Sequence, residues 1–335
     1  GVYVRDVGST NNLVRGNVIT RNVTDGVHFS NLVSGEIGGA LEGAGNDISG
    51  HVNGTLGAIN IRLSGCANIR VEDNRSTSSS LGFGVESGSN LTVGSPGFGN
   101  VFSSNTSGVA ISDGTDIFFY SNFVGVDETG MTASPNAFSG IYVTQDVDNI
   151  RIGGTGDGEG NVISGNINDG IVVYQMNAGP GDSPVLYIQG NYIGTNVDGT
   201  AAVPNQLMGI LVGPQARRVL IGGTAAGEGN VISGNGVDGI RVGRRPNTTG
   251  TPDNIKVFGN RIGLAVTGTA TVPNGANGVA LLQVDEEVEL GGFGDGEANI
   301  IAGNGQNGVR IKGGETLDVS SLSTVRGNTI YGNTL

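Results

Sequence analysis

Seven of the chain's 17 basic residues gather on equivalent strands and adjoining loops between the seventh and tenth repeats: Arg217, Arg218, Arg241, Arg244, Arg245, Arg310 and Lys312. Arg241 and Arg310 stand 69 residues apart at equivalent places in a repeat, in "DGIRV" and "NGVRI". Guanidinium groups hold carboxylates through charge-assisted, partly bidentate hydrogen bonds. The same residue types can also remove a proton beside a carboxylate that a cation neutralises. This patch is therefore the candidate site for an anionic ligand. The competing explanation is local charge balance with Asp253, Asp285, Glu286 and Glu287.

Other motifs carry less. "GNGVDG" (234–239) and "GNGQNG" (303–308) match G-x-G-x-x-G, but a strand pattern follows where a dinucleotide site needs a helix. "GDGEGN" spaces Asp157, Glu159 and Asn161 as alternate oxygens, and Asp295, Glu297 and Asn299 repeat them. Calcium would suit that spacing, yet the middle copy replaces the aspartate with Ala226 beside Glu228, and no bidentate glutamate follows. A solvated turn is expected, with no cofactor. The two histidines, His28 and His51, and the lone Cys66 have no zinc spacing, and no G-x-S-x-G elbow exists. His28 is expected as an outward surface residue rather than a catalyst.

What positions these residues is a repeat. The string "GEGNVISGN" occurs at 158–166 and 227–235, and "GEANIIAGN" at 296–304, with the same 69-residue step. Pro135–Asn136, Pro204–Asn205 and Pro273–Asn274 keep that step, and "GFGNVFSSN" (97–105) continues the plan upstream with shorter loops. Each unit splits into halves of three short strands, such as "RVLIGG", "NVISGN" and "GIRV", alternating apolar and small or polar residues. No stretch shows a helical period, so crossover helices are missing and a βαβ sheet is excluded. A coil that stacks on itself satisfies the pattern, each strand pairing in parallel with its equivalent one coil on. Ten complete coils are expected, with third strands near Val27, Ile61, Val85, Val109, Ile141, Ile171, Ile210, Ile240, Val279 and Val309. Partial coils at both ends would bring the rod to about 50 Å.

Asn166, Asn191, Asn235, Asn260, Asn304 and Asn328 each follow a strand at a corner. Asparagine tolerates the left-handed bend, and its amide can donate to one neighbouring coil while accepting from the other. A residue present in nearly every coil is structural. On the outward face, Tyr142, Val172 and Leu211 form an apolar run that the loop at 175–184 is expected to cover.

Composition bounds the partners. With 63 glycines, no tryptophan, 14 % charged residues and a net charge of −13, the chain is too apolar for disorder and repels nucleic acid and anionic membrane. No apolar run approaches membrane-spanning length. The chain starts at Gly1, and residues 1–335 read as one β-helical domain excised from a longer repeat protein. Unpaired strand edges at the coil ends would invite end-to-end self-association.

The strings "NVISGN…DGI.V" and "NYIGTNVDGTAAVPN" resemble right-handed parallel β-helix repeat proteins of the pectate-lyase-like group, over nearly the whole chain. The resemblance implies an all-β solenoid of about ten to eleven coils with three short strands each. It implies less about function, since that group holds lyases, hydrolases, epimerases, phage tailspikes and bacterial surface proteins. β-Helix polygalacturonases carry paired aspartates, Gly-His-Gly and Arg-Ile-Lys. This chain has Arg310, Ile311 and Lys312 but neither of the other motifs, so glycoside hydrolysis is not expected. The tyrosine-, proline- and histidine-rich signature of alginate epimerases is also absent. Regularity favours a secreted or cell-surface protein of structural or adhesive role, binding polysaccharide on one face and not acting as an enzyme. A polysaccharide lyase acting on an anionic glycan is the alternative, and an end-to-end assembling fibre subunit the third.

Overall fold

Alternation of β-branched and small residues lets each short strand bury one edge and leave the other outward. The computed structural model describes residues 1–51, 57–179, 181–243, 250–284, 287–313 and 323–335. It shows three stacks of short parallel strands winding as a solenoid. Stack 1 runs from Val2–Arg5 through Val27–Ser30 and Ile210–Val212 to Val309–Lys312. Stack 2 includes Leu186–Ile188, Arg217–Gly222 and Asp253–Phe258, and stack 3 is an 11-stranded sheet from Val18–Thr20 to Thr329–Tyr331. In three coils stacks 1 and 2 are one bent strand, for instance Leu81–Val93, which merges them into a 19-stranded sheet.

The third strands lie where expected and in the expected register except in the third coil, where Phe83 rather than Val85 aligns with Ile61 and Val109, because Val85 pairs two residues further on with Leu63 and Ile111. Val27, Ile61, Phe83, Val109, Ile141, Ile171, Ile210, Ile240, Val279 and Val309 follow one another across stack 1. All but Val309 are buried, and they belong to one continuous core that also holds Phe29, Phe102 and Phe119. Loops that recur every 69 residues add three antiparallel bridges, Val126–Ala133, Thr195–Ala202 and Leu264–Thr271. These loops stack on one another, the Val197 N–H donating to the Gly130 carbonyl and Val266 to Gly199, each at 2.9 Å.

Two asparagine ladders run the length of the solenoid. In the first, each Nδ2 from Asn17 to Asn299 donates to the Oδ1 of the next coil, through Asn46, Asn74, Asn100, Asn122, Asn161, Asn191, Asn230 and Asn260 to Asn328. The second contains Asn136, Asn166, Asn205, Asn235, Asn274, Asn304 and Asn333. The six asparagines expected at corners thus alternate between two ladders. They are not the left-handed residues: the preceding glycines are, with φ of 78° at Gly165 and 68° at Gly190. Ladder asparagines need an amide and an ordinary backbone, while glycine takes the positive φ without a Cβ clash. Left-handed asparagines occur instead where stack 1 bends into stack 2, at Asn68, Asn90, Asn149 and Asn254.

The second ladder changes residue type near the N-terminal end. Asn105 Oδ1 accepts from the Ser79 N–H, Ser79 Oγ accepts from the His51 N–H, and His51 Nδ1 accepts from the Asn22 N–H, each at 3.0 Å. His51 is 2 % exposed, so it is a ladder rung rather than a surface residue.

Candidate functional site

The outward column of stack 1 carries most of the aromatic and cationic side chains considered on this face. In register it runs Tyr3, His28, Arg62, Gly84, Ala110, Tyr142, Val172, Leu211, Arg241, Ala280 and Arg310. Arg241 and Arg310 stand two coils apart, about 10 Å, with the buried Ala280 between them.

The two arginines differ in what they hold. Arg241 Nε donates to Asp238 Oδ2 at 2.8 Å, and a second guanidinium nitrogen lies 2.6 Å from the same oxygen. The other oxygen of Asp238, which is fully buried, accepts from the Asn277 N–H at 3.1 Å and Nδ2 at 2.7 Å. Among the described residues the charge partner of Arg241 is therefore this corner aspartate, three residues upstream, and neither Asp253 nor Glu287 pairs with it. Arg310 and Lys312 are exposed, with no ion-pair partner among the described residues.

Arg217 and Arg218 begin a stack 2 strand instead. Arg217 lies beside Asp253 in register. Arg218, at φ 57°, donates through Nε to the Ser183 carbonyl at 2.7 Å and through a terminal nitrogen to Gly179 at 3.3 Å, fastening that loop. Arg244 and Arg245 lie outside the described residues, as do Asp285 and Glu286. The fold brings Arg241, Arg310 and Lys312 to one strand stack and sets Arg217 and Arg218 around the corner.

The apolar run is covered, but not by the expected loop. Val172, Leu211 and Met208 form a small buried cluster with Tyr142, Tyr174 and Val237 packed against it. Met208 comes from the preceding corner, and Met176, expected to help cover the run, turns into the main core. The Tyr142 and Tyr174 rings meet edge to face at 6.5 Å and 79° and are partly buried. Phe138, Ile167 and Leu207, just upstream of the same strands, are exposed at 49 %, 45 % and 37 %. Together they make an apolar, aromatic strip beside the column.

The "GDGEGN" turns hold themselves. Glu159, Glu228 and Glu297 each accept, through one carboxylate oxygen, the N–H of the residue three before it, Gly156, Ala225 and Gly294, at 2.7–2.9 Å. Asn161 and Asn299 belong to the first ladder. One oxygen of each glutamate and the amides of Asn161 and Asn299 are thus engaged within the fold, and no group of three or more metal-ligating side chains occurs among the described residues.

A polar cluster that spacing alone did not reveal lies at the N-terminal end of the column. Arg62 Nε donates to Asp25 Oδ2 at 2.8 Å, and its guanidinium also pairs with Glu86. Ser64 Oγ donates to Glu86 Oε2 at 2.8 Å and lies 3.3 Å from His28 Nε2. His28 Nδ1 is 3.6 Å from Asp25 Oδ2, and the Tyr3 ring packs on the imidazole at 4.9 Å. Burial lowers the pKa of His28 below its ordinary value, outweighing the opposing pull of Asp25, while Arg62 adds to the lowering. His28 is thus outward as expected, yet it touches a hydroxyl 36 residues further on. The coil register was the signal: the offset that sets Val27 over Ile61 also sets His28 over Arg62 and Ser30 over Ser64.

No family model matches this chain, and neither does any curated protein. Among solved structures it is similar to the periplasmic alginate epimerase AlgG, with a TM-score of 0.53 and 13 % identity, covering 95 % of this chain and 78 % of that one. The A-module of the Azotobacter vinelandii mannuronan C-5 epimerase AlgE4 is similar at TM-score 0.43 and 16 % identity, over 99 % of this chain and 84 % of that one. The Dettilon tailspike protein gp208 follows at TM-score 0.35 and 12 % identity, over 96 % and 60 %. At such identities the likeness concerns the fold, and the chain is a right-handed parallel β-helix.

Proposed function

We propose that this β-helix is a secreted or cell-surface protein that presents its stack 1 face to polysaccharide. The observation that carries this is the partly buried Tyr142–Tyr174 pair with the exposed Phe138, Ile167 and Leu207 beside it. Aromatic rings on a rigid sheet give a sugar ring a broad apolar surface with hydroxyls at its rim. Arg310 and Lys312, exposed further along the stack, would add attraction for uronate carboxylates. Arg241 contributes less, because Asp238 already holds it. The similar periplasmic alginate epimerase agrees with a saccharide partner.

Affinity electrophoresis through gels containing neutral or uronic-acid polysaccharides tests this reading. Retardation that is lost on Tyr142→Ala/Tyr174→Ala is expected. Arg310→Ala should weaken retardation by uronic polymers only, and less so at high salt. Unaltered mobility in every gel would remove the proposal. New absorbance from an unsaturated sugar product would replace binding with lyase activity.

A further inference from the structure

The cluster at the N-terminal end of the column has an arrangement that glycan binding does not use. Three groups from two neighbouring coils line up: Asp25 Oδ2 lies 3.6 Å from His28 Nδ1, and His28 Nε2 lies 3.3 Å from Ser64 Oγ. Asp25 is itself fixed, accepting the Ile59 N–H at 3.1 Å and Arg62 Nε at 2.8 Å. A hydroxyl, an imidazole and an orienting carboxylate in this order are the parts of a nucleophilic relay, and such contacts are commonly loose before substrate binds. Burial keeps the imidazole neutral near pH 7, the form that can accept a proton.

Glu86 supplies the second observation. One of its carboxylate oxygens is held by the Arg62 guanidinium and the other by Ser64 Oγ. The guanidinium therefore faces the hydroxyl across that carboxylate, on the side where an oxyanion formed by attack of Ser64 would develop. Glu86 is also the most exposed of the cluster's charged side chains, at 47 %, and can leave without disturbing the core.

We propose that Asp25, His28 and Ser64 form a relay that hydrolyses small carboxylic esters, with the Glu86 carboxylate holding it at rest from the oxyanion position. When Glu86 withdraws, the Ser64 hydroxyl turns to His28 Nε2. Oγ bonds to the ester carbonyl carbon as its proton passes to Nε2, and Arg62 faces the oxyanion. The carbon–oxygen bond to the alcohol breaks, and Nε2 returns the proton to that leaving oxygen. Water then attacks the acyl carbon, giving its proton to Nε2. The bond to Oγ breaks, Ser64 recovers the proton, and a carboxylic acid leaves. Asp25 is a positioning residue that holds the imidazole.

A fluorophosphonate probe, with peptide mapping of the adduct, tests this directly on the whole chain. Modification of Ser64 is expected, absent in Ser64→Ala. His28→Ala should slow it by at least about 100-fold, the usual weight of a general base. Glu86→Ala should speed it by at least about tenfold, since a charge-assisted hydrogen bond to the nucleophile is gone. Because Asp25 raises the pKa of His28, Asp25→Asn should move the midpoint of the rate–pH profile lower, which a purely structural role would not do. Circular dichroism separates these effects from unfolding, and His28→Gln replaces His28→Ala if the latter unfolds. An unmodified Ser64 in both the native chain and a folded Glu86→Ala overturns the proposal. So does modification whose rate ignores His28.

Discussion

Asn191 shows how much one ladder rung should hold. Its Oδ1 accepts from the Asn161 N–H at 3.1 Å and Nδ2 at 2.9 Å. Its own Nδ2 faces the Ile152, Gln189 and Asn230 oxygens at 2.8, 3.0 and 3.0 Å. Asn191→Ala leaves the buried Asn161 N–H without an acceptor, which costs about 1–3 kcal/mol, and strips one amide proton of Asn161 as well. The Ile152 carbonyl loses less, because the Gln189 N–H also reaches it at 2.9 Å. A total of about 2–5 kcal/mol follows. Asn191→Asp sharpens the test. It keeps both bonds from Asn161 but sets an acceptor oxygen against three others, in a site 1 % exposed. At neutral pH it should therefore be less stable than the alanine variant, despite retaining more contacts. Urea unfolding followed by circular dichroism measures this, as the chain has no tryptophan, with the exposed Asn177→Ala as control. If Asn191→Ala stays within about 0.5 kcal/mol of that control, or Asn191→Asp is the more stable of the pair, the ladder argument fails.

Three further outcomes are expected. Burial lowers the pKa of His51, with Asp25 opposing. The unfolded chain then binds the extra proton first. The stability His51 contributes is complete above its unfolded value near 6.5 and falls as pH drops toward the lowered folded value, by up to about 1.4 kcal/mol per pH unit. Melting at pH 5 and 7.5 should show this loss, and His51→Asn, which restores the ladder residue, should reduce it. Arg241→Ala should destabilise by about 2–4 kcal/mol because it leaves the buried Asp238 uncompensated, whereas Arg310→Ala should stay within about 0.5 kcal/mol; denaturant midpoints separate the two. Chelation with EDTA should leave the melting temperature unchanged, since Glu159, Glu228 and Glu297 already close their own turns, and a fall of several degrees would show calcium there.

The candidate site was legible only in part. The 69-residue step placed Arg241 and Arg310 in one column, because register in a parallel stack follows from counting residues. It could not say that Asp238 holds one of them while the other has no partner among the described residues. That depends on a corner carboxylate buried beneath the guanidinium. Nor could it say that Met208 and Tyr174, rather than the following loop, cover Val172 and Leu211. Loop paths depend on packing that periodicity does not encode. The register that sets Val27 over Ile61 was legible, but the His28–Ser64 contact stayed hidden, because it joins side chains diagonally across the coils, and that depends on which way the imidazole turns rather than on register.

By itself, the sequence determined the solenoid. Strands alternating with period two, glycine before asparagine at the corners and no helical stretch leave stacking as the one way to pair every backbone group. It also determined that the asparagines are structural, since only a repeated residue can build a ladder. Tertiary structure decided which chemically capable groups are already spent. A buried carboxylate takes Arg241, a backbone loop takes Arg218, and the ladder takes His51. The physical reason is that an ionic or hydrogen-bonding group is available to a ligand only when no nearer partner in the fold satisfies it, and nearness between coils is a property of the wound chain.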